Sequence, residues 1–559
     1  MTVRLPRLAA VAEAVLVKRP TVVDGTGADP FPADVLIDAG GRITAINRGA
    51  AMAPVEGTVV IDGTDLVLAP GFIDLHSHSD LYSAVSGEDL IPIGDLPKLT
   101  QGCTAQTFGQ DGISAAPVHE DHLEDQMALL AGLDGTIPRQ AWTWRSFEEY
   151  LAAVHAASAT RTFGLVGHST IRRHVMGYAA REATPAELEA MCRVLAEALE
   201  GGADGFSSGL VYVPAVYSPT SELVALCEVA ARFQKPFFVH VRSEGDRVEE
   251  ATDEVIDVCA RTGCHLHYSH IKTAGRANWH KADALLAKIG AAQAAGVKIT
   301  ADIHPYIAGS TTANVLLPPW LFEEGGIPAA LDRLGDPAVR ARARAELLGG
   351  RDWENWFGFS GGWRGLRVAS SSDPAIAGRS FADVIEAAGI VDLDSAGAFD
   401  VIFDLLARER LSMSLVSFNN VEENVAKFLA EPYCSIGTDA VVNPGGHPHP
   451  RLYGTFPRVL GRFVRELGVV SLPEAIRKMT SQAAAIVGSK GLLGEIRVGL
   501  PADLVLFDPA TVADRATFES PRELPVGIER VMVAGRTVVL GGQLAAGAGV
   551  HKPGVARRP

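Results

Sequence analysis

Short apolar runs, each ended by a polar or small residue, recur along the chain, but what separates them changes twice. Over the first seventy or so positions the runs at 15–17, 21–23, 35–37, 43–46 and 59–61 are broken only by turns containing Gly or Pro, which predicts a small β unit. The far end has the same texture, with runs at 503–507 and 531–539 around turns. Two β segments flanking a long middle predict one small β-sandwich or barrel domain built from both termini, residues 1–69 and 488–546. Residues 547–559 read as a frayed tail.

In the middle, apolar runs alternate with helical patterns, the signature of parallel βα units. Eight strands are expected, at 71–76, 104–109, 163–167, 205–209, 237–241, 266–269, 298–303 and 434–437. The clearest helix, 185–199, opens with Thr184 as a cap and Pro185 in the first turn. Eight βα repeats over residues 70–487 predict an α/β fold of the (β/α)8 TIM-barrel type, with a doubly wound open sheet as the rival. The interval between the seventh and eighth strands is too long for one helix. Its Trp-rich part, with Trp353, Trp356 and Trp363, reads as an inserted subdomain at about 310–400 that forms a lid.

Composition narrows the function classes. With 47% hydrophobic and 21% charged residues the 559-residue chain is an ordinary globular protein. A formal charge of −16 argues against nucleic acid or an anionic membrane as partner, and no apolar stretch reaches membrane-spanning length. Arg4 and Arg7 before Leu8-Ala9-Ala10-Val11 faintly resemble a signal peptide, but Glu13 interrupts the apolar core. The six cysteines are scattered without a CxxC pair and read as buried thiols, so a cytoplasmic location is expected. A homo-oligomer is compatible with all of this.

The candidate chemistry lies at strand ends, where barrels of this type carry it. His76 and His78 are two apart, so a strand aims both imidazoles at one face. The second strand runs into Gly109-Gln110-Asp111, the fifth carries His240, the sixth ends in Ser269-His270, and the eighth in Thr438-Asp439. Any one imidazole alone is more simply a satisfied core histidine; the plain alternative for Asp439 is a helix N-cap, and for Arg451, further along the chain, a surface ion pair. Four imidazoles and two carboxylates on one barrel mouth are enough for a zinc-type hydrolytic site.

The order and wording of these motifs resemble the amidohydrolase superfamily, and within it the N-acyl-D-amino-acid deacylases (D-aminoacylases). The resemblance runs from Thr21-Val22-Val23-Asp24-Gly25 and Pro70-Gly71-Phe72-Ile73-Asp74 through Ser208-Gly209-Leu210 and Ser269-His270-Ile271-Lys272 to Ala502-Asp503-Leu504-Val505. Its most specific run is Pro448-His449-Pro450-Arg451-Leu452-Tyr453-Gly454-Thr455-Phe456. The resemblance implies hydrolysis of the amide of an N-acyl-D-amino acid, a small-molecule substrate, and zinc as one or two ions, with cobalt or manganese as alternatives. It implies His240 and His270 as the firm metal ligands, His76 and His78 as a second and weaker metal position, and Asp439 as acid/base and ligand. Arg451 and Tyr306 are implied as substrate-binding residues, and His168 shares a Gly-His pattern to which no role attaches.

One position departs from the family. Its third ligand is a cysteine in an Asn-Cys-Gly setting, and here Asp111 stands there, between Gln110 and Gly112. Cys103 cannot replace it, being roughly 26 Å away along an extended strand. Gly205–Gly209 offers no lysine for the carboxylated-lysine bridge of other superfamily members. Asp111 is therefore expected either to supply a harder, carboxylate ligand or to leave the site one ligand short. Two other readings stand beside the deacylase: another amide substrate (a β-aspartyl dipeptide, a cyclic amide or an unusual N-acyl amine), and a non-catalytic scaffold.

Overall fold

Eight strands buried at every position but His265 and Thr300 can be satisfied only by neighbours on both edges and helices outside, and the chain solves this by closing them into a barrel. The computed structural model describes residues 13–49, 51–85, 93–350 and 353–545, so the tail and the apolar stretch around Leu8 lie outside the described residues. The strands are β1 (Phe72–Asp74), β2 (Cys103–Phe108), β3 (Arg161–Gly167), β4 (Gly205–Gly209), β5 (Pro236–His240), β6 (His265–Tyr268), β7 (Ile299–Ile303) and β8 (Cys434–Ile436), hydrogen-bonded in that order. All are parallel, with Phe206 of β4 opposite Phe237 of β5 and their rings stacked 5.2 Å apart. Outside them, the helix Pro185–Glu200 begins as its sequence predicts. Thr184 accepts from Glu187 N and Glu187 returns the bond, a capping box.

Closure between β8 and β1 matters most for function. Leu75 N donates to Ile436 O at 3.5 Å, and Asp439 N donates to His76 O at 2.8 Å. Beyond the barrel strands, Ser77–His78 pairs in parallel with Ala440–Val441. The approach is tight enough that a Cβ on Gly437 would lie 2.6 Å from the Cβ of His76, so only glycine fits there. Beneath the seam, buried Lys98 donates to Asp74 at 2.5 Å and to Thr438 at 2.6 Å, while Asp74 accepts from the backbone N–H of Thr438 and of His76. A buried charge is tolerable only when paired, and here the pairing locks the two loops that carry His76 and Asp439.

The chain ends meet in a second unit. A seven-stranded sheet takes Val67–Pro70, Thr21–Val22 and Phe31–Pro32 from the first part and four strands from Leu504 onward, with Val67–Pro70 antiparallel to Leu504–Phe507. A four-stranded sheet of residues 14–62 packs on it through Val17, Val35, Leu68, Leu504 and Met532. Between β7 and β8 the chain forms a three-stranded antiparallel sheet (Ala308–Thr312, Ser414–Phe418, Leu366–Val368) with its own helices. Trp356, Trp363, Phe399 and Phe403 fill its separate core. Among the described residues no helix is long and apolar enough to cross a membrane.

Candidate metal centre

Each chemical residue is brought to the mouth by a turn at a strand end. After β2 the chain reverses at Gly109 (φ 73°), where a Cβ would sit 2.0 Å from Leu165 O. Gln110 then donates to Leu75 O at 2.7 Å, and Gly112 N to Ser207 Oγ at 3.1 Å, which pins the residue between them. That residue, Asp111, has φ 55°; His270 (φ 35°) and Asp439 (φ 50°) are also left-handed. Such a conformation costs a non-glycine residue about 1–2 kcal/mol. Three instances in one cluster mark a place where geometry is held against local preference.

The side chains converge on the Asp111 carboxylate. Its Oδ1 lies 3.3 Å from His270 Nε2, 4.0 Å from His240 Nδ1 and 3.6 Å from His76 Nε2, and its Oδ2 lies 3.6 Å from His78 Nε2. Asp439 Oδ1 completes the second group, 3.8 Å from His76 Nε2 and 3.5 Å from His78 Nε2. Two overlapping ligand sets result, Asp111-His240-His270 and His76-His78-Asp111-Asp439, with Asp111 common to both. Ligands around a tetrahedral ion at ~2.0–2.1 Å stand about 3.3–3.4 Å apart, so these spacings suit a divalent cation. His76 Nε2, His78 Nε2 and Asp111 Oδ1 are buried without hydrogen-bond partners, as atoms awaiting a cation would be.

Behind each imidazole stands a carboxylate. His78 Nδ1 meets Asp134 at 3.1 Å, His76 Nδ1 meets Asp302 at 3.6 Å, and Glu244 faces both His270 Nδ1 (2.9 Å) and His240 Nε2 (3.8 Å). Asp302 also accepts from His270 N at 2.8 Å. At His78 the hydrogen bond to Asp134 holds the ring in the orientation that leaves Nε2 free for a metal, and at His270 Lys272 Nζ also stands 2.9 Å from Nδ1.

Among the described residues, five buried acids (Asp111, Asp134, Asp302, Asp439 and Glu244) crowd the imidazoles, and of the buried cations Arg451 pairs with Asp439 and Lys272 with Glu244. Burial pushes the Asp111 carboxyl up, but His270 and His76 outweigh it and hold it well below the usual range. Asp439 behaves likewise: burial raises it, and Arg451 and His76 bring it well below. For His78 burial opposes the charge, yet the carboxylates of Asp111, Asp134 and Asp439 around it raise it well above the ordinary value. The surplus negative charge calls for protons or a cation.

Arg451 is wholly buried rather than a surface residue. It donates to Asp439 at 2.7 Å and to Ser310 O at 2.8 Å, and its Nε–H has no hydrogen-bond partner. Asp439 caps no helix; a strand follows it. Tyr306 is not brought to the cluster, because the chain turns at Pro305 and sends its hydroxyl 3.5 Å from Asp514, its ring against His449. From that segment it is His304 that faces the site. Its Nε2 lies 3.8 Å from Asp439 Oδ2, and both ring nitrogens are buried without partners. His168 serves a buried network, between Ser208 Oγ (2.9 Å) and Glu222 (2.8 Å). Sequence reasoning missed His304, Glu244, Asp302 and Asp134. For the first two a signal existed: His304 directly follows a strand end, and Glu244 lies four residues past His240.

Known proteins resemble this chain in sequence and fold. The amidohydrolase family profile matches residues 59–539. An N-acyl-D-glutamate deacylase of Alcaligenes xylosoxydans xylosoxydans is 35% identical over 92% of both chains. An N-acyl-D-aspartate deacylase of the same organism is 34% identical over 96% of this chain and 94% of its own. Among solved structures, an N-acyl-D-glutamate deacylase from Bordetella bronchiseptica, complexed with zinc and a phosphonate mimic of the tetrahedral intermediate, superposes with a TM-score of 0.77. It is 31% identical over 99% of this chain and 100% of its own.

Proposed function

The chain belongs to the amidohydrolase family, and within it to the N-acyl-D-amino-acid deacylases, so we propose that it is a metal-dependent hydrolase that cleaves the linear amide bond of N-acyl-D-amino acids, releasing the D-amino acid and a carboxylate. One observation carries the reading: a single carboxylate, Asp111, stands between two converging sets of imidazoles at the barrel mouth. His240, His270 and Asp111 would hold the main ion, zinc as in the Bordetella bronchiseptica relative, and His76, His78 and Asp439 would share Asp111 around a second. Carboxylate in place of thiolate makes the site harder and widens it toward cobalt or manganese.

When bound, the cation supplies two things an amide hydrolysis lacks in water, a water of lowered pKa and a polarised carbonyl oxygen. The protein's own groups supply the rest. Asp439 enters ionised, takes the proton from the attacking water, and hands it to the leaving nitrogen as the C–N bond breaks. Arg451 keeps Asp439 ionised and offers its remaining Nε–H to the substrate carboxylate. Lys272, 2.5 Å from Glu244, holds that carboxylate behind His240 and His270.

The test is an assay of the purified protein on paired N-acetyl-D- and N-acetyl-L-amino acids with metal analysis. Turnover confined to the D series, abolished by Asp439→Asn with metal at the His240 side retained, supports the reading. Activity on neither series, or full activity of Asp439→Asn, removes it.

A further inference from the structure

The run 448–456 gives Arg451 to the site and leaves His449, two residues earlier, without a role. Arg451 opens the helix Arg451–Arg458, so its backbone N–H finds no partner within that helix. His449 supplies one. Its Nδ1 accepts from Arg451 N at 3.0 Å, and its Nε2 stands 2.9 Å from Ala308 O. A backbone N–H can only donate and a carbonyl can only accept, so the two partners fix the neutral tautomer with its proton on Nε2. Burial and the neighbouring Arg451 guanidinium hold the ring well below the ordinary imidazole value, in keeping with a neutral ring.

Ala308 begins the insertion's strand Ala308–Thr312, which is tied a second time two residues on, where Ser310 O accepts from Arg451 Nη2 at 2.8 Å. Backbone and guanidinium of Arg451 are thus both fixed to one strand of the insertion, the backbone through His449. The ring has little room to move. Tyr306 meets it edge-on at 5.2 Å, and Phe518, from the segment between the strands Leu504–Phe507 and Ile528–Val533, does so at 5.0 Å. Insertion, barrel mouth and terminal β unit therefore meet on a single imidazole that is 2% exposed.

We propose that His449 is a positioning residue: by holding the backbone of Arg451 against the insertion, it sets where the guanidinium meets both Asp439 and the substrate carboxylate. Seating of the strand Ala308–Thr312 and alignment of Arg451 are then one event, and the ring is the link. Such a link matters because a misplacement of about 1 Å costs up to about a hundredfold in rate. The inference rests on the deacylase reading, since it needs a substrate carboxylate for Arg451 to hold. A helix cap is the plainer role, and asparagine, whose side chain bonds the backbone two residues on, fills that role equally well. Its shorter side chain has no atom at the place of Nε2, so it cannot also hold Ala308.

The test is steady-state kinetics of the full-length, zinc-loaded protein on whichever N-acetyl-D-amino acid it turns over fastest. His449→Ala and His449→Asn are each made in the unaltered chain and beside Arg451→Lys. In the unaltered background His449→Ala should raise KM about tenfold, keep kcat within about threefold and keep full zinc content. The acid limb of its kcat/KM profile should move to higher pH, because a misplaced Arg451 no longer holds Asp439 down. His449→Asn restores the cap alone and should leave KM raised about threefold or more. Beside Arg451→Lys the same changes should alter KM less than about twofold, because a residue acting through Arg451 has nothing left to position. Effects of equal size in both backgrounds, an unmoved acid limb, or a His449→Asn protein identical to the unaltered one overturns the inference and leaves the deacylase standing. Should His449→Ala not fold, His449→Asn is read in both backgrounds in the same way. No hydrolysis of any D compound overturns the deacylase reading and this inference with it.

Discussion

Arg451 donates to Asp439 across 2.7 Å in a pair that solvent barely reaches, the arginine wholly buried. The pair sets the charge state of the group assigned to proton transfer. Replacing Arg451 with Gln removes the cation that holds Asp439 down, so the acid limb of the kcat/KM profile should move to higher pH. The same change should raise KM, since the substrate carboxylate loses its partner, and leave Asp439 a buried unpaired charge costing about 3–5 kcal/mol of stability. A pH–rate profile superimposable on that of the unaltered protein would contradict the assignment.

Metal binding should release protons. His270 is raised to about 10; burial and Lys272 oppose its charge, but Glu244 and Asp111 prevail. His76 is also raised, Asp302 and Asp111 overcoming the cost of burial. A ring held near 10 is charged at neutral pH, and a cation must displace its proton, so zinc affinity should fall as pH falls. Calorimetric titration with zinc in buffers of different ionisation heats, near neutral pH, should give apparent enthalpies that differ in proportion. Identical enthalpies would mean that no proton leaves.

Glu354 links the insertion to the barrel, accepting from Glu244 N at 2.7 Å. Burial pushes its carboxyl up to about 7, Ser243 counters this by hydrogen bonding, and the Glu244 carboxylate adds to it. A folded value above the unfolded one, ~4.3, means the native state keeps a proton the unfolded chain has lost. Its contribution therefore declines as pH rises from about 4.3 to about 7, by up to about 1.4 kcal/mol per pH unit. Glu354→Gln should flatten the fall in stability across that window, measured by denaturant unfolding at pH 5 and pH 8. An unchanged pH dependence would show that Glu354 is ionised in the fold.

Most of the barrel was legible because its strands are short, apolar and separated by helical spacing. Each of the eight expected strands coincides with an observed one to within a residue or two at its ends. The polar residues at strand ends were legible for the same reason: a charged group closing an apolar run points to the barrel mouth. The carboxylates behind the imidazoles were not. Asp134 reaches His78 from a segment with no strand, and Asp302 sits inside an apolar run where one acid carries no pattern. Tyr306 was expected at the substrate, and His304 stands beside Asp439 instead, because a two-residue shift at a Pro turn decides which ring faces it and spacing alone does not resolve that. The β unit from both termini showed in its turns, but the pairing of Val67–Pro70 with Leu504–Phe507 is a contact between distant segments that no local pattern encodes.

The shared carboxylate is the centre of the account, and metal content beside rate tests it most directly. Wild type, Asp111→Cys and Asp111→Ala should be loaded with zinc, freed of excess, and assayed for metal per chain and for kcat/KM on an N-acetyl-D-amino acid. Asp111→Ala takes a ligand from both sets at once, so it should lose metal from both positions and at least a hundredfold in rate. Asp111→Cys should keep the main ion and part of the rate. Full metal content and full rate in Asp111→Ala would contradict the central claim.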